Sequence, residues 1–256
     1  MKLFYIIKAI FFDGYFKVII RKIYLRFFDT NSTQDYNDRL NWLKNNETSL
    51  KRFCESIDKN LWEETEKATN EILNNSKEIL DKIKYDLGGG GSIKLLYFLT
   101  RLTKPKTVVE TGVAAGFSSY SILQAIHRNK YGFLHSSDFP YFRLPNPKKF
   151  IGIVIPDFLK KNWQLYVDGD KKNLKKIINS ITQIDLFHYD SDKSYKGRGE
   201  TLNFLSEYFN EKTILIMDDI EDNSFFFDEV HKIDYKKKWK VFFQDGKWIG
   251  LIFNQI

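Results

Sequence analysis

One cysteine, Cys54, stands in 256 residues. An internal disulfide is therefore impossible, and a reducing, cytoplasmic compartment fits best. No cysteines and histidines cluster at zinc-ligand spacing. No run of about 18 uncharged apolar residues occurs, which argues against a membrane-spanning helix. The N-terminus lacks both an uninterrupted apolar core and a small-residue cleavage site, so it does not read as a signal peptide. The dinucleotide fingerprint G-x-G-x-x-G is absent. So is a set of two histidines and a carboxylate suited to non-haem iron.

What is present is the composition of a folded chain: 43% apolar against 29% charged residues, long enough for one α/β domain plus a smaller addition. The net charge of +7 favours acidic partners such as phosphates, nucleic acid or an anionic membrane surface, although the basic residues are scattered. Met1–Phe28 is dense in Phe, Ile, Leu and Tyr. It carries Lys2, Lys8, Lys17, Arg21, Lys22 and Arg26 against Asp13 alone. Two readings stay open: a basic helix lying in a membrane interface, or a helix pair docked on the rest of the chain or on a second subunit of a homo-oligomer.

Residues 1–84 read as a helical region, with Leu40, Leu43, Leu50, Phe53, Ile57 and Leu61 at helical spacing and a further amphipathic stretch over Trp62–Ile83. Gly88–Gly91 breaks the pattern, either as a flexible joint or as a place of close backbone approach. Ser92 is a plausible N-cap for a helix over Ile93–Leu102. From there to the C-terminus, residues 85–256 form a second region. Strands are predicted at Thr107–Glu110, Phe133–Ser137, Gln164–Val167, Ile184–Tyr189 and Thr213–Met217. Helices over Ser118–Arg128, Lys171–Ile181 and Gly199–Phe209 alternate with them, which implies a parallel sheet with right-handed crossovers. Asp245-Gly246 between Trp239–Phe243 and Trp248–Phe253 signals a closing antiparallel hairpin.

The segment Glu110-Thr111-Gly112-Val113-Ala114-Ala115-Gly116 lies between the first strand and its helix. Its E-x-G-x-x-x-G pattern resembles the cofactor loop of class I methyltransferases, which bind S-adenosylmethionine (SAM). Val108–Ser119, Asp190–Tyr195 and Asp218–Ile220 together resemble a bacterial group of that superfamily with cephalosporin-hydroxylase-like and catechol O-methyltransferase-like relatives. The fold implied is a Rossmann-like α/β sheet, mostly parallel, ending in an antiparallel hairpin. The resemblance implies that Glu110, Gly112 and Gly116 contact the cofactor, with Glu110 near the methionine ammonium. Gly112 would allow a tight turn and Gly116 a close approach to the ligand. The amides opening the next helix, with Ser118 and Ser119, would hold the methionine carboxylate. Asp138 is expected at the ribose and Asp170 beside the adenine.

Asp190, Asp192, Asp218 and Asp219 match the group's acidic site. Both segments end strands, the edge where ligands bind in open α/β sheets. Asp190, Asp218 and Asp219 are expected to converge on one divalent ion, with Mg²⁺ the suitable hard cation, and that ion would activate an acceptor hydroxyl. Lys193 stands where the group has His. A lysine at this place also resembles the base of catechol-type enzymes, so Lys193 and Asp190 are the candidate catalytic residues. His188, in a buried strand, reads as a core histidine. Phe139–Asn162 is long enough for a lid or substrate wall, and Glu221–Phe227 for a roof or for core packing.

The function implied is O-methylation of a small-molecule or sugar hydroxyl. Two alternatives remain: a non-catalytic scaffold in a surface-glycan or membrane assembly, and a nucleic-acid methyltransferase. The second is weakened because Asp190-Ser191-Asp192-Lys193 stands where amino-methylating enzymes carry Asp/Asn-Pro-Pro-aromatic.

Overall fold

The computed structural model describes residues 35–232 and 237–256, together with the isolated positions Phe16, Ile20 and Tyr24. Both readings of Met1–Phe28 therefore fall on a segment that otherwise lies outside the described residues. None of the described helices is long and apolar enough to cross a membrane.

Three helices open the described chain, each started by its own side-chain cap. Asp35 accepts from the Asn37 amide at the head of α1 (Tyr36–Asn45), Ser49 from Arg52 at α2 (Leu50–Ile57), and Asp58 from Leu61 at α3 (Lys59–Leu80). After the glycine run comes α4 (Ile93–Thr103). Ser92 precedes it but does not cap it. Its backbone is left-handed, at φ 56°, and its hydroxyl donates to Asp218 instead.

Strand and helix then alternate: β1 (Thr107–Thr111), α5 (Phe117–Asn129), β2 (Phe133–Ser137), β3 (Trp163–Tyr166), α6 (Asp170–Ile178), β4 (Ile184–Tyr189), α7 (Tyr195–Leu205), β5 (Phe209–Met217), α8 (Phe225–Lys232), β6 (Lys238–Gln244) and β7 (Lys247–Phe253). The sheet order is β3-β2-β1-β4-β5-β7-β6. The first five strands are parallel, and β7 runs antiparallel to both β5 and β6. The hairpin turn has Asp245 at φ 50° and Gly246 at φ 82°, the two positive φ values that a type I′ turn needs.

Alternate strand residues feed two cores on opposite faces of the sheet. Val108, Leu186, Ile214, Ile216 and Leu251 meet α4 and α5 on one face. Val109, Phe187, Tyr189, Met217 and Ile252 meet Leu174, Leu205 and Phe226 on the other. The N-terminal helices share these cores: Cys54, Trp62 and Ile72 in the first, Leu43 in the second. The chain between α1 and α2 also bonds to the edge strand, Glu47 bridging to Val241 and the Thr48 amide donating to its carbonyl at 2.8 Å.

Two expectations change here. The helix predicted from Gly199 begins at Tyr195, because Ser194 accepts from the Gly197 amide and caps it four residues earlier. Phe139–Asn162 does not stand free as a lid. Ile151, Val154, Ile155 and Leu159 are buried, and the amides of Gly152 and Val154 donate to Ala114 and Ala115 at 2.9 and 3.1 Å. The segment is a buttress behind the loop that follows β1. The phenylalanine run is core as well: Phe225 and Phe226 are buried, and Phe226 packs against Gly250.

Candidate functional site

Four backbone bonds carry the sheet one residue beyond its strands. The amides of Gly112, Asp138, Asp190 and Asp218 donate to Ser137, Tyr166, Thr111 and Tyr189 at 2.8–3.0 Å. These residues therefore share the C-terminal edge of β1, β2, β4 and β5, where an open parallel sheet presents its ligand crevice.

Gly112 has φ 86°, and a Cβ there would overlap the Asp190 carbonyl. The loop after β1 thus lies against the backbone of the first acidic residue. Gly116 has φ 105°, and a Cβ there would stand 2.8 Å from the Gly152 Cα, so on that side it lets the buttress segment pack close. The start of α5 at Phe117 has no side-chain cap, which leaves its first amides available to an anion.

Glu110 is fully buried. Ser119 and Ser136 donate to its Oε2, the latter at 2.9 Å, while Nδ1 of His188 lies 3.3 Å from its Oε1. The ring's other nitrogen is 3.5 Å from Asp218 Oδ1, a charge contact too long for a good hydrogen bond. Burial alone would strip the imidazole of its proton, but Asp218 and Glu110 outweigh it and push His188 up to about 10. Burial likewise opposes the Asp218 charge, yet His188 and Ser92 hold that carboxyl below the usual carboxylate range. His188 is a core residue, as its strand suggested. Its ring also lies between Glu110 of β1 and Asp218 of the acidic cluster.

Asp138 accepts from Val113 and Ala114 at 3.1 and 2.7 Å, and from the Phe139 amide. Burial pushes it up to about 6 despite those bonds. Asp170 heads α6 and accepts from Ser137 at 2.5 Å. A cavity of about 590 Å³ opens beside it between α6 and α7, lined among others by Phe139, Gly169, Asp192, Thr201 and Phe204. Of the expected cofactor residues, Asp170 alone lines this cavity.

The acidic cluster departs from the expected ion site. Lys193 Nζ lies 3.0 Å from Asp190 Oδ1 and in direct contact with Asp219 Oδ2. Lys247 Nζ is 3.5 Å from the same Asp219 oxygen. Asp218 points elsewhere, toward Ser92, His188 and the glycine run. Asp192 turns back to cap its own loop, accepting from the Ser194 amide and hydroxyl at 3.1 and 2.7 Å. Among the described residues no group of three or more His, Cys, Asp or Glu side chains is placed to hold a metal ion. Asp190, Asp218 and Asp219 thus do not fit Mg²⁺: an ammonium joins two of them, and the third is turned away.

Arg198, fully buried, supports the cluster from below. Its Nη2 donates to the carbonyls of Asp218 and Asp219 at 3.1 and 2.7 Å, fixing Asp219 in a left-handed conformation at φ 52°. Such strain persists only where its surroundings enforce it. Burial and the Asp218 charge push the Asp190 carboxyl up, and Lys193 pulls it down less strongly. Lys247 and Arg198 escaped sequence reasoning and Ser92 was read only as a helix cap, since none belongs to a motif and each comes from a different element.

Residues 109–220 match a family model described as a methyltransferase domain. Among curated proteins none matches the chain. Solved structures do. The O-methyltransferase TomG from Streptomyces achromogenes, in complex with SAM, is 12% identical with a TM-score of 0.53, over 72% of this chain and 89% of that one. An O-methyltransferase from Bacillus cereus, in complex with SAH, is 14% identical with a TM-score of 0.51, over 72% and 90%. The SAH-bound methyltransferase PaMTH1 from Podospora anserina is also 14% identical with a TM-score of 0.51, over 72% and 88%. At such identities the likeness is one of fold, and that fold is the class I methyltransferase sheet. Over residues 109–220 the sequence match and the fold agree on a methyltransferase domain.

Proposed function

We propose that this protein transfers a methyl group from SAM to a hydroxyl oxygen of a small molecule or sugar. The contact of Gly112 with the Asp190 backbone carries the reading. It sets the cofactor loop directly beside the Asp190–Lys193 pair, so a methyl donor in the loop and an acceptor at the pair are neighbours.

The residues present fit the cofactor. The uncapped amides opening α5 suit its carboxylate. Asp138 suits the ribose hydroxyls. The cavity beside Asp170 and Phe139 suits the adenine. Glu110, sealed beneath Ser119, acts on the ammonium through the loop and not by direct contact. SAM brings an activated methyl on a sulfonium; this chain supplies placement and the handling of one proton.

Lys193 is partly exposed and can donate to an acceptor oxygen, holding it in line with the S–CH₃ bond. Asp190, with its carboxyl pushed up by burial, takes the hydroxyl proton. The new C–O bond forms as the C–S bond breaks, and S-adenosylhomocysteine leaves. No step passes through a divalent ion.

Calorimetric titration of the full chain with SAM, beside Gly112→Arg, tests the first half. Binding by the wild type and none by the variant is the expected result. No binding by well-folded wild type would remove the reading. A panel of hydroxylated acceptors, followed by release of S-adenosylhomocysteine, tests the second half.

A further inference from the structure

Lys247 belongs to no motif, yet it reaches the acidic cluster from the first residue of β7, just past the hairpin turn. Its aliphatic stem passes beside Gly91, where a Cβ would stand 3.3 Å from Lys247 Cδ and 2.5 Å from Asp218 Oδ2. Two of the three carboxylates, Asp190 and Asp219, therefore meet ammonium groups, and Asp218 faces the His188 ring. Lys193 serves Asp190 and Asp219, and Lys247 serves Asp219.

A divalent ion needs several oxygens at short range in near-octahedral array. Here the Asp190 and Asp219 oxygens it would use already face ammonium groups, and the arriving ion would meet like charge at ligand distance. We propose that Lys193 and Lys247 together take the place of a divalent ion in this methyltransferase, so that the cluster is a metal-independent site whose acceptor oxygen is held by two ammonium groups. The statement rests on the function proposed above for the acceptor. Its ion-exclusion half stands on the cluster alone, and the test reads that half without turnover.

The experiment titrates Mn²⁺ into EDTA-treated full-length protein and follows the ion by electron paramagnetic resonance. Wild type should leave the spectrum of the free ion unchanged to about 1 mM, the weak end of protein divalent-ion sites. The double variant Lys193→Met, Lys247→Met should bind one ion, with a midpoint at least about tenfold lower, because two like charges have left the ligand oxygens. One Mn²⁺ bound by wild type and lost in Asp190→Asn would overturn the proposal. So would a folded double variant that binds none, since the lysines would then not be what keeps the ion out. If circular dichroism finds the double variant unfolded, Lys247→Met alone is read by the same criteria. SAM binding, measured separately, distinguishes failure here from failure of the methyltransferase reading.

Discussion

Gly91 lies against the carboxylate of Asp218: a Cβ built on it would stand 2.5 Å from Oδ2. Gly89, two residues earlier, has nothing within 4 Å. The glycine run is thus no uniform joint. Gly91→Ala should displace Asp218 and lower methyl transfer by at least about tenfold, with a stability loss of about 1–3 kcal/mol from overpacking. Gly89→Ala should match wild type in both. Thermal melts and SAM turnover on the pair decide it, and equal behaviour of the two variants would sink the argument.

Gly112 is constrained twice, by φ 86° and by the Asp190 carbonyl. Gly112→Ala should cost more than the roughly 1 kcal/mol of an ordinary glycine-to-alanine strain at positive φ, and should abolish SAM binding. Calorimetry on folded variant protein is the check. Retained affinity would mean that the loop tolerates moving away from Asp190.

His188 holds two buried carboxylates. Its replacement in His188→Gln leaves Glu110 and Asp218 facing each other without a cation, so a loss of about 3–5 kcal/mol is expected in urea denaturation at neutral pH. The sign with pH follows from the upward shift. The imidazolium contribution is fully present below the ordinary 6.5 and is lost as pH rises through about 10. The gap between wild type and variant should therefore narrow in alkali. A constant gap would show that the ring is held neutral.

Asp138 gives the opposite window. Its carboxyl titrates at about 6 in the fold against an ordinary 3.8, so the fold prefers it protonated, and stability at this residue falls as pH rises from about 4 to 6. On the proposed role of Asp138, ribose binding prefers the carboxylate. SAM affinity should therefore drop about tenfold for each pH unit below 6. Asp138→Asn should bind weakly and evenly across that range, and a variant as pH-dependent as wild type would clear Asp138 of the role.

Lys193→Met should lower kcat by about 10²–10³, the usual worth of a donor aimed at the charge developing on an acceptor oxygen, while leaving SAM affinity nearly unchanged. A matched loss of SAM binding would place Lys193 at the cofactor and not at the acceptor.

Much of the fold was legible in the chain. Phe133–Ser137 and Ile184–Tyr189 were read to the residue. Asp-Gly announced the closing hairpin through its need for two positive φ values. The loop residues Glu110 and Gly112 and the acidic strand ends also fell where the pattern put them, on one sheet edge. Side-chain direction was not legible. Nothing in Asp218-Asp219 tells which carboxylate turns toward Ser92 and which toward Lys193; that is set by Arg198 gripping both carbonyls from another helix. The partner of Gly116 was hidden for the same reason, since Gly152 approaches it from a segment with no periodicity to read.

The bridge from Glu47 and Thr48 to Val241 has a consequence for solubility. β6 is the outermost strand of its side of the sheet, and an uncovered edge is a template on which another chain can pair. The N-terminal helices lay a short stretch of backbone along that edge and occupy the Val241 carbonyl. Residues 36–57 thus act as a guard rail, and a chain trimmed to its methyltransferase domain alone would present the strand it covers to other molecules.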